Sequence, residues 1–196
     1  VTGSPDKRQG TLRRLAELVA KNSCGLIAIG NGTACRETEE LVTQLIADHC
    51  PECRYLIVNE AGASIYSAST VARDEFPDYD ATVRGTISIG RRLQDPLSEL
   101  VKIDPQHIGV GMYQHDMNQR QMKESLDGVV ESCVNFVGVD LNTASASLLK
   151  YVSGFSQLVA KRVVEWREAN GAFASRKQLL EVAGVGKSTF TQAAGF

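Results

Sequence analysis

The chain has 196 residues, of which 43% are hydrophobic and 22% are charged, and its formal net charge is −2. These values are typical of globular domains, and they exclude a peptide, a fibre and a chain that is disordered throughout. No apolar run approaches the roughly 20 residues that cross a membrane, and the amino terminus lacks the apolar stretch of a signal peptide, so no membrane partner is predicted. Five cysteines, an odd number, favour a reducing, intracellular compartment over a disulfide framework.

The first half of the chain alternates helical periodicity with short apolar runs. In chain order these patterns predict a helix around residues 12–19, a strand over 26–29, a helix around 41–45, a strand over 55–58, and helices over 64–76 and 83–93. Alternation of helices with wholly apolar strands is typical of a parallel sheet that is covered by helices. The first half is therefore predicted to be α/β.

After residue 105 the pattern changes to short helices separated by glycine-containing turns. The predicted elements are an extended segment over 108–112, a long helix over 121–137, and helices over 144–151, 158–169, 177–182 and 187–194. Two turns repeat one pattern at an offset of 30 residues, since VSGFS at 152–156 and VAGVG at 182–186 each precede a helix. The predicted fold class is α/β followed by all-α, with domains over 1–105 and 106–196.

Charge is distributed unevenly along the chain. Residues 1–104 carry a net charge of −3, whereas residues 141–196 carry seven basic and three acidic side chains, a net charge of +4. A polyanion would be attracted to the carboxyl-terminal part alone, because electrostatic steering acts over about one Debye length. A solvated helical surface would show the same excess, so charge by itself leaves both interpretations open.

The string GVGKS at 184–188 resembles the end of a phosphate-binding P-loop. The P-loop pattern also requires a glycine at the position of Glu181 and a preceding strand, and the periodicity predicts a helix there. What remains is a Gly-x-Gly turn into a helix, whose backbone N–H groups and lysine favour a phosphate. A valine at Gly186 is expected to strain this turn. The predicted contacts with a nucleic-acid backbone are Gly184, Gly186, Lys187, Ser188 and Thr189.

The sequence from VDLNTASASLL, which begins at residue 139, through AGVGKS resembles a tandem helix-hairpin-helix module of the kind found in bacterial DNA-uptake proteins. The resemblance implies hairpins that bind the sugar-phosphate backbone without reading its sequence. It adds Gly154, Ser156 and Lys161 to the candidate nucleic-acid-binding residues. Ser156 stands where the pattern has its second glycine, so a structural role for the first hairpin stays open.

Three upstream segments, LIAIGNGTACRETEELV, VNEAGASIYSAS and TVRGTISIGRRLQDPLSELVKIDPQHIGVGMYQHDMNQ, together with this module, resemble the Tex-like transcription accessory proteins. That family includes eukaryotic relatives with an S1 RNA-binding domain. The resemblance implies a partial RNase H-like domain of the YqgF type, similar to the RuvC resolvases, and a tandem helix-hairpin-helix domain within a longer protein. It implies RNA or DNA as a partner, contact with the transcription machinery, and a nuclear location in a eukaryote or a cytoplasmic one in a bacterium.

The resolvase likeness raises the alternative of a metal-dependent, structure-specific nuclease. Two-metal cleavage needs several carboxylates around the ions. Glu60 follows the second predicted strand, where such folds place one acid, but the later helix offers Thr82, Arg84 and Ser88 where another acid is needed. Glu60 is therefore interpreted as vestigial, and no catalytic residue is predicted.

His49, Cys50 and Cys53 are close together in the sequence, but a tetrahedral zinc site needs four ligands. Neither a metal nor a cofactor is therefore predicted. The favoured function is non-catalytic, sequence-independent nucleic-acid binding in a transcription-associated protein. The alternatives are the nuclease and a protein-interaction scaffold that binds no nucleic acid. DNA or RNA preference and oligomeric state stay open.

Overall fold

The computed structural model describes residues 5–109 and 113–195. The chain divides into two compact units, Val1–Gln94 and Asp95–Phe196. The predicted domain boundary lies at about residue 105. Val101 belongs to the hydrophobic core of the second unit, and the partly buried Leu97 packs against that core. Most of the extended segment expected over 108–112 lies outside the described residues.

The first unit is α/β, as expected. Its elements are α1 (Pro5–Asn22), β1 (Leu26–Gly30), α2 (Cys35–His49), β2 (Arg54–Val58), α3 (Ala63–Ala68), α4 (Thr70–Glu75) and α5 (Ala81–Gln94). The helix predicted over 64–76 is divided, because Ser69 has an extended backbone and its hydroxyl oxygen accepts the N–H of Ala72 at 3.1 Å. A serine in this position ends one helix and caps the next.

The strands β1 and β2 are parallel, with Leu26 opposite Arg54 and Gly30 opposite Val58. A core of Leu12, Leu41 and Leu45 lies between α1 and α2, and Ile27 of β1 packs against it. The helical spacing in the sequence is thus confirmed as the buried face of both helices. Leu56 and Ile57, on opposite faces of β2, are each 49% exposed, so this strand is only half covered.

The second unit is helical. Its α-helices are α6 (Pro96–Leu100), α7 (Gln119–Val137), α8 (Ala146–Leu149), α9 (Gln157–Asn170) and α10 (Lys187–Ala193), with 3₁₀ helices over Pro105–His107, Gln114–Asp116 and Arg176–Glu181. The segment predicted as a helix over 177–182 is therefore a 3₁₀ helix. The Gln178 side chain accepts the N–H groups of Ala174 and Ser175 at its start, which fixes a tight first turn. Within the described residues, no helix combines the length and the apolar character of a membrane span.

The core of the helical unit draws on each of its main elements. Val134 of α7, Leu149 of α8, and Ala160 and Val163 of α9 have no exposed surface. The buried face of α9 that the sequence predicted is confirmed, and Trp166 on that face stacks on Phe173 with 4.2 Å between ring centroids. This dense core positions the two hairpins described below.

We expect the amides of β1 and β2 to exchange with solvent before those of the helical core. Each strand has one partner among the described residues and half-exposed apolar side chains, which lowers the local opening free energy. Hydrogen exchange by mass spectrometry, at a concentration where the chain is monomeric, would measure this order. Best protection within residues 26–30 and 54–58, rather than around Val134, Leu149 and Ala160, would contradict it.

Candidate nucleic-acid interface

The two predicted hairpins share one backbone geometry. The N–H of Phe155 donates to the carbonyl of Val152 at 2.9 Å, and the N–H of Val185 donates to that of Val182 at 3.0 Å. Gly154 and Gly184 have φ values of +83° and +96°, which favour glycine. The next residue but one is in each case extended and begins a helix, α9 or α10. The 30-residue sequence repeat is thus a structural repeat.

Four apolar side chains fix the hairpins to the unit. Val152 and Phe155 of the first, and Val182 and Val185 of the second, are all buried in the helical core. Ser153 and Thr189 are half-buried, whereas the exposed residues between and after the anchors include Gly184, Gly186, Lys187 and Ser188. Each turn is therefore anchored by its apolar pair and presents its polar backbone to solvent.

Each hairpin packs against the helix that follows the other one. A Cβ built on Gly154 would lie 2.6 Å from Oε1 of Gln192 and 3.3 Å from the carbonyl oxygen of Thr189 on α10. A Cβ on Gly184 would lie 3.0 Å from Nη1 of Arg162 on α9. Arg162 and Gln192 are themselves 30 residues apart, so the packing is reciprocal.

Arg162 holds the second hairpin in place directly, because its Nη1 donates to the carbonyl of Ala183 at 3.0 Å. Neither this residue nor Gln192 is among the predicted site residues. The 30-residue offset relates the two positions to each other. The offset does not indicate which helix packs against which hairpin, so Arg162 and Gln192 could not be assigned from the sequence.

The hairpins differ at the residue that begins the following helix. Ser156 caps α9, since its Oγ accepts the N–H of Val159 at 3.2 Å. Gly186 offers α10 no side-chain cap, so the N–H groups of Lys187 and Ser188 lie at an uncapped, exposed turn. Its φ is −89°, and a Cβ there would meet no atom within 4 Å. A side chain at Gly186 would therefore not strain the turn, contrary to the expectation from the sequence. What a side chain would change is the open space beside the start of α10.

The basic side chains of this unit divide into two groups. Arg162, Arg167 and Arg176 donate to backbone carbonyls, with Arg167 bound to Leu141 at 2.7 Å and Arg176 bound to Ala194 at 2.6 Å. The lysines of the same stretch are exposed: Lys150, Lys161, Lys177 and Lys187. The three arginines thus tie backbone segments together, and the four lysines, together with the exposed Arg176, provide positive charge at the surface.

Glu60 lies in the first unit at the carboxyl end of β2. Its N–H donates to Oδ1 of Asn31 at 3.0 Å, and a Cβ on Gly30 or Gly32 would overlap its carboxylate. A cleft of about 660 Å³ adjoins it, lined by Gly32, Thr33, Glu60 and Thr86 among others. Across residues 5–109 and 113–195, no three His, Cys, Asp or Glu side chains form a group that could hold a metal ion.

Comparison with known families agrees with both units. Residues 2–94 match the family model of the Tex protein YqgF-like domain, and residues 134–196 match that of the helix-hairpin-helix motif. Fold and hairpins together define a protein with a YqgF-type, RNase H-like domain followed by a helix-hairpin-helix domain. The predicted fold class is confirmed. Similar full-length proteins narrow this assignment further.

The chain is 59% identical to Protein tex of Bordetella pertussis over 96% of its own length and 24% of that protein. It is 57% identical to Transcriptional accessory protein Tex of Neisseria gonorrhoeae over 94% of the chain and 25% of that protein. It is 52% identical to S1 RNA-binding domain-containing protein 1 of Homo sapiens, over 93% and 19% respectively. The chain belongs to the Tex-like family, and it spans about a quarter or less of the length of these relatives.

The structure assigns different roles to the two glycines of the second hairpin. We expect Gly184→Ala to destabilise the helical unit by roughly 1–2 kcal/mol, because an L-residue is strained at positive φ and its Cβ crowds Arg162. Gly186→Ala is the matched control and should leave stability within about 0.5 kcal/mol of the parent. Urea unfolding followed by the fluorescence of Trp166, the single tryptophan, measures both. Equal losses in the two variants would refute this division.

Proposed function

We propose that this chain binds nucleic acid through its helical unit, that the second hairpin contacts the sugar-phosphate backbone without reading the bases, and that the chain is not a nuclease. The observation that carries the proposal is the second hairpin itself. Its anchor residues are buried, its left-handed turn is fixed by Arg162, and its Gly186–Lys187–Ser188 segment is exposed with open space above Gly186.

A phosphate fits this segment for two reasons. A glycine without neighbouring atoms allows a backbone phosphate to approach closer than any side chain would permit. The adjacent Lys187, together with the exposed hydroxyl of Ser188, supplies a positive charge and a hydrogen-bond donor. Phosphates are the same for every base, so such contacts set affinity without sequence preference.

Two further facts support a nucleic-acid partner. The exposed lysines of residues 141–196 belong to the part of the chain with a net charge of +4. The similar proteins carry names that refer to transcription or to an S1 RNA-binding domain. We propose RNA or DNA as the ligand, the transcription machinery as the setting, and an intracellular location, nuclear in a eukaryote and cytoplasmic in a bacterium.

The first hairpin is less suited than the second to bind a phosphate. Ser156 already occupies one N–H group at the start of α9, and its side chain fills the space that is open at Gly186. Gly154 faces Gln192 and Thr189, so α10 can pack closely against this hairpin because residue 154 has no side chain. We propose that this hairpin mainly supports the second one, with the exposed Lys161 contributing charge.

We expect Lys187→Ala to weaken binding to single-stranded and duplex DNA and RNA by a similar factor for all sequences. The salt dependence, as the slope of log K against log salt concentration, should decrease in magnitude by about one because one phosphate contact is lost. Fluorescence anisotropy titrations at three or more salt concentrations give both values. Gly186→Ala should also weaken binding while the fold stays intact.

Two matched variants control this experiment. Gln157 occupies the position of Lys187 in the first hairpin, and Lys21 is an exposed lysine of the first unit. Gln157→Ala should leave the salt slope unchanged, and Lys21→Ala removes the same charge from the other unit. If Lys187→Ala and Gly186→Ala bind as the parent does, the second hairpin is a structural turn and the scaffold alternative is favoured.

The proposed absence of nuclease activity has its own support. The Glu60 carboxylate is seated against Gly30 and Gly32, and Arg92 holds the loop around it by donating to the carbonyls of Asn59 and Ala61 at 2.8 and 2.9 Å. These contacts give the carboxylate a packing role in the described part of the chain.

We expect a four-way DNA junction to remain intact when it is incubated with the chain and Mg²⁺ or Mn²⁺. The products are resolved on a denaturing gel, with a resolvase of known activity as the positive control. Glu60→Gln distinguishes activity of this site from a contaminant. Cleavage by the parent that disappears in Glu60→Gln would show a nuclease.

A further inference from the structure

The segment Cys50-Pro51-Glu52-Cys53 forms a tight turn between α2 and β2. The N–H of Cys53 donates to the carbonyl of Cys50 at 2.9 Å, and proline occupies the second position, which β-turns favour. The first and last Cα atoms of a β-turn lie within 7 Å of each other, and disulfides join Cα atoms that are usually 4.4–6.8 Å apart. The backbone therefore already holds these two cysteines at a distance that a disulfide can span.

The side chains agree with the backbone. Neither thiol is in a disulfide, Cys53 is buried and Cys50 is partly buried. Burial, and then the adjacent Cys53 thiol, raise the pKa of Cys50 above its ordinary value. The Cys53 thiol donates to the carbonyl of Cys24 at 2.9 Å, and the Cys50 thiol donates to that of Leu45 at 3.6 Å. The two free thiols are thus close together and held by weak hydrogen bonds.

We propose that Cys50 and Cys53 are a reversible redox-modification site, which a low-molecular-weight disulfide such as oxidised glutathione converts to an intramolecular disulfide. Cys50 is the more exposed of the two, so its thiolate attacks the small disulfide first and releases one thiol. The Cys53 thiolate then attacks Cys50 Sγ, the mixed disulfide breaks, and a second thiol leaves. Two protein thiols are oxidised, one small disulfide is reduced, and both protons end on the released thiols.

The reaction has a defined structural consequence. Cys24 lies two residues before β1, and Cys53 directly precedes β2. Next to them, the N–H of Arg54 donates to the carbonyl of Gly25 at 3.0 Å. Disulfide formation removes the S–H donor that links Cys53 to Cys24. A four-residue loop constrains the unfolded chain very little, so the main effect is local loosening at the start of the sheet rather than a gain in global stability.

The experiment incubates the 196-residue chain in glutathione buffers of graded redox ratio, quenches with acid, blocks remaining thiols and maps peptides by mass. The expected result is a peptide containing Cys50 and Cys53 that has lost two hydrogen atoms and carries no glutathione. Reducing buffer should reverse the change. Cys133, exposed on α7, is the internal control and should form only a glutathione adduct. The rate should rise with pH through the neutral range, since the raised pKa keeps Cys50 protonated there.

Two variants and one further measurement sharpen the test. Cys53→Ser should trap glutathione on Cys50, whereas Cys50→Ser should leave Cys53 reduced. In the oxidised parent, the amide of Arg54 should exchange about twofold faster, the change expected for loss of one hydrogen bond at the weak end of the range. A Cys24–Cys53 disulfide, stable glutathione adducts on both cysteines of the turn, or five unmodified thiols in the most oxidising buffer would each overturn the proposal.

Discussion

The left-handed turn at Gly184 is the constraint on which the candidate interface depends. A backbone at φ of +96° reverses the chain within a few residues, so Val182 and Val185 both enter the core while the residues after them stay in solvent. The same turn at Gly154 performs this task for Val152 and Phe155. Because each glycine lies against the helix of the other hairpin, neither turn can change without moving both helices. The rigidity of the exposed segment therefore derives from the reciprocal packing beneath it.

This packing also explains how two similar hairpins can differ at their exposed ends. The buried valine and phenylalanine anchors and the left-handed glycines recur at the 30-residue offset, because the shared core fixes them. Ser156 and Gly186 lie outside that core and are both exposed. One can serve as a helix cap and the other can leave its space open without any cost to the packing. Divergence at these two positions is compatible with one supporting and one ligand-facing hairpin.

Sequence patterns predicted the elements whose signal is local and repeated. The strands β1 and β2, the buried faces of α1, α2 and α9, and the 30-residue repeat all follow from periodicity or from spacing along the chain. The break at Ser69 was not predicted, because one side-chain hydrogen bond caps the second helix there. The helix predicted over 177–182 is present, in the 3₁₀ form. Arg162 could not be assigned either. Its partner Ala183 is 21 residues away, and only the tertiary packing of α9 brings the two together.

The glycines of the two units show how a candidate site can be distinguished from a packing requirement. Gly30 and Gly32 flank an asparagine turn at the carboxyl end of a strand, a position where α/β folds often bind ligands. The space that their missing side chains leave is occupied by the Glu60 carboxylate, so packing within the unit already accounts for both glycines. Gly154 and Gly184 are accounted for in the same way by Gln192 and Arg162. Gly186 has an ordinary backbone conformation and no neighbour within 4 Å, a combination that it shares with Gly10, Gly25 and Gly90, so neither strain nor packing requires a glycine there. The open space at Gly186 lies at an uncapped helix start beside the exposed Lys187, and the proposed phosphate contact rests on this combination rather than on the missing side chain alone.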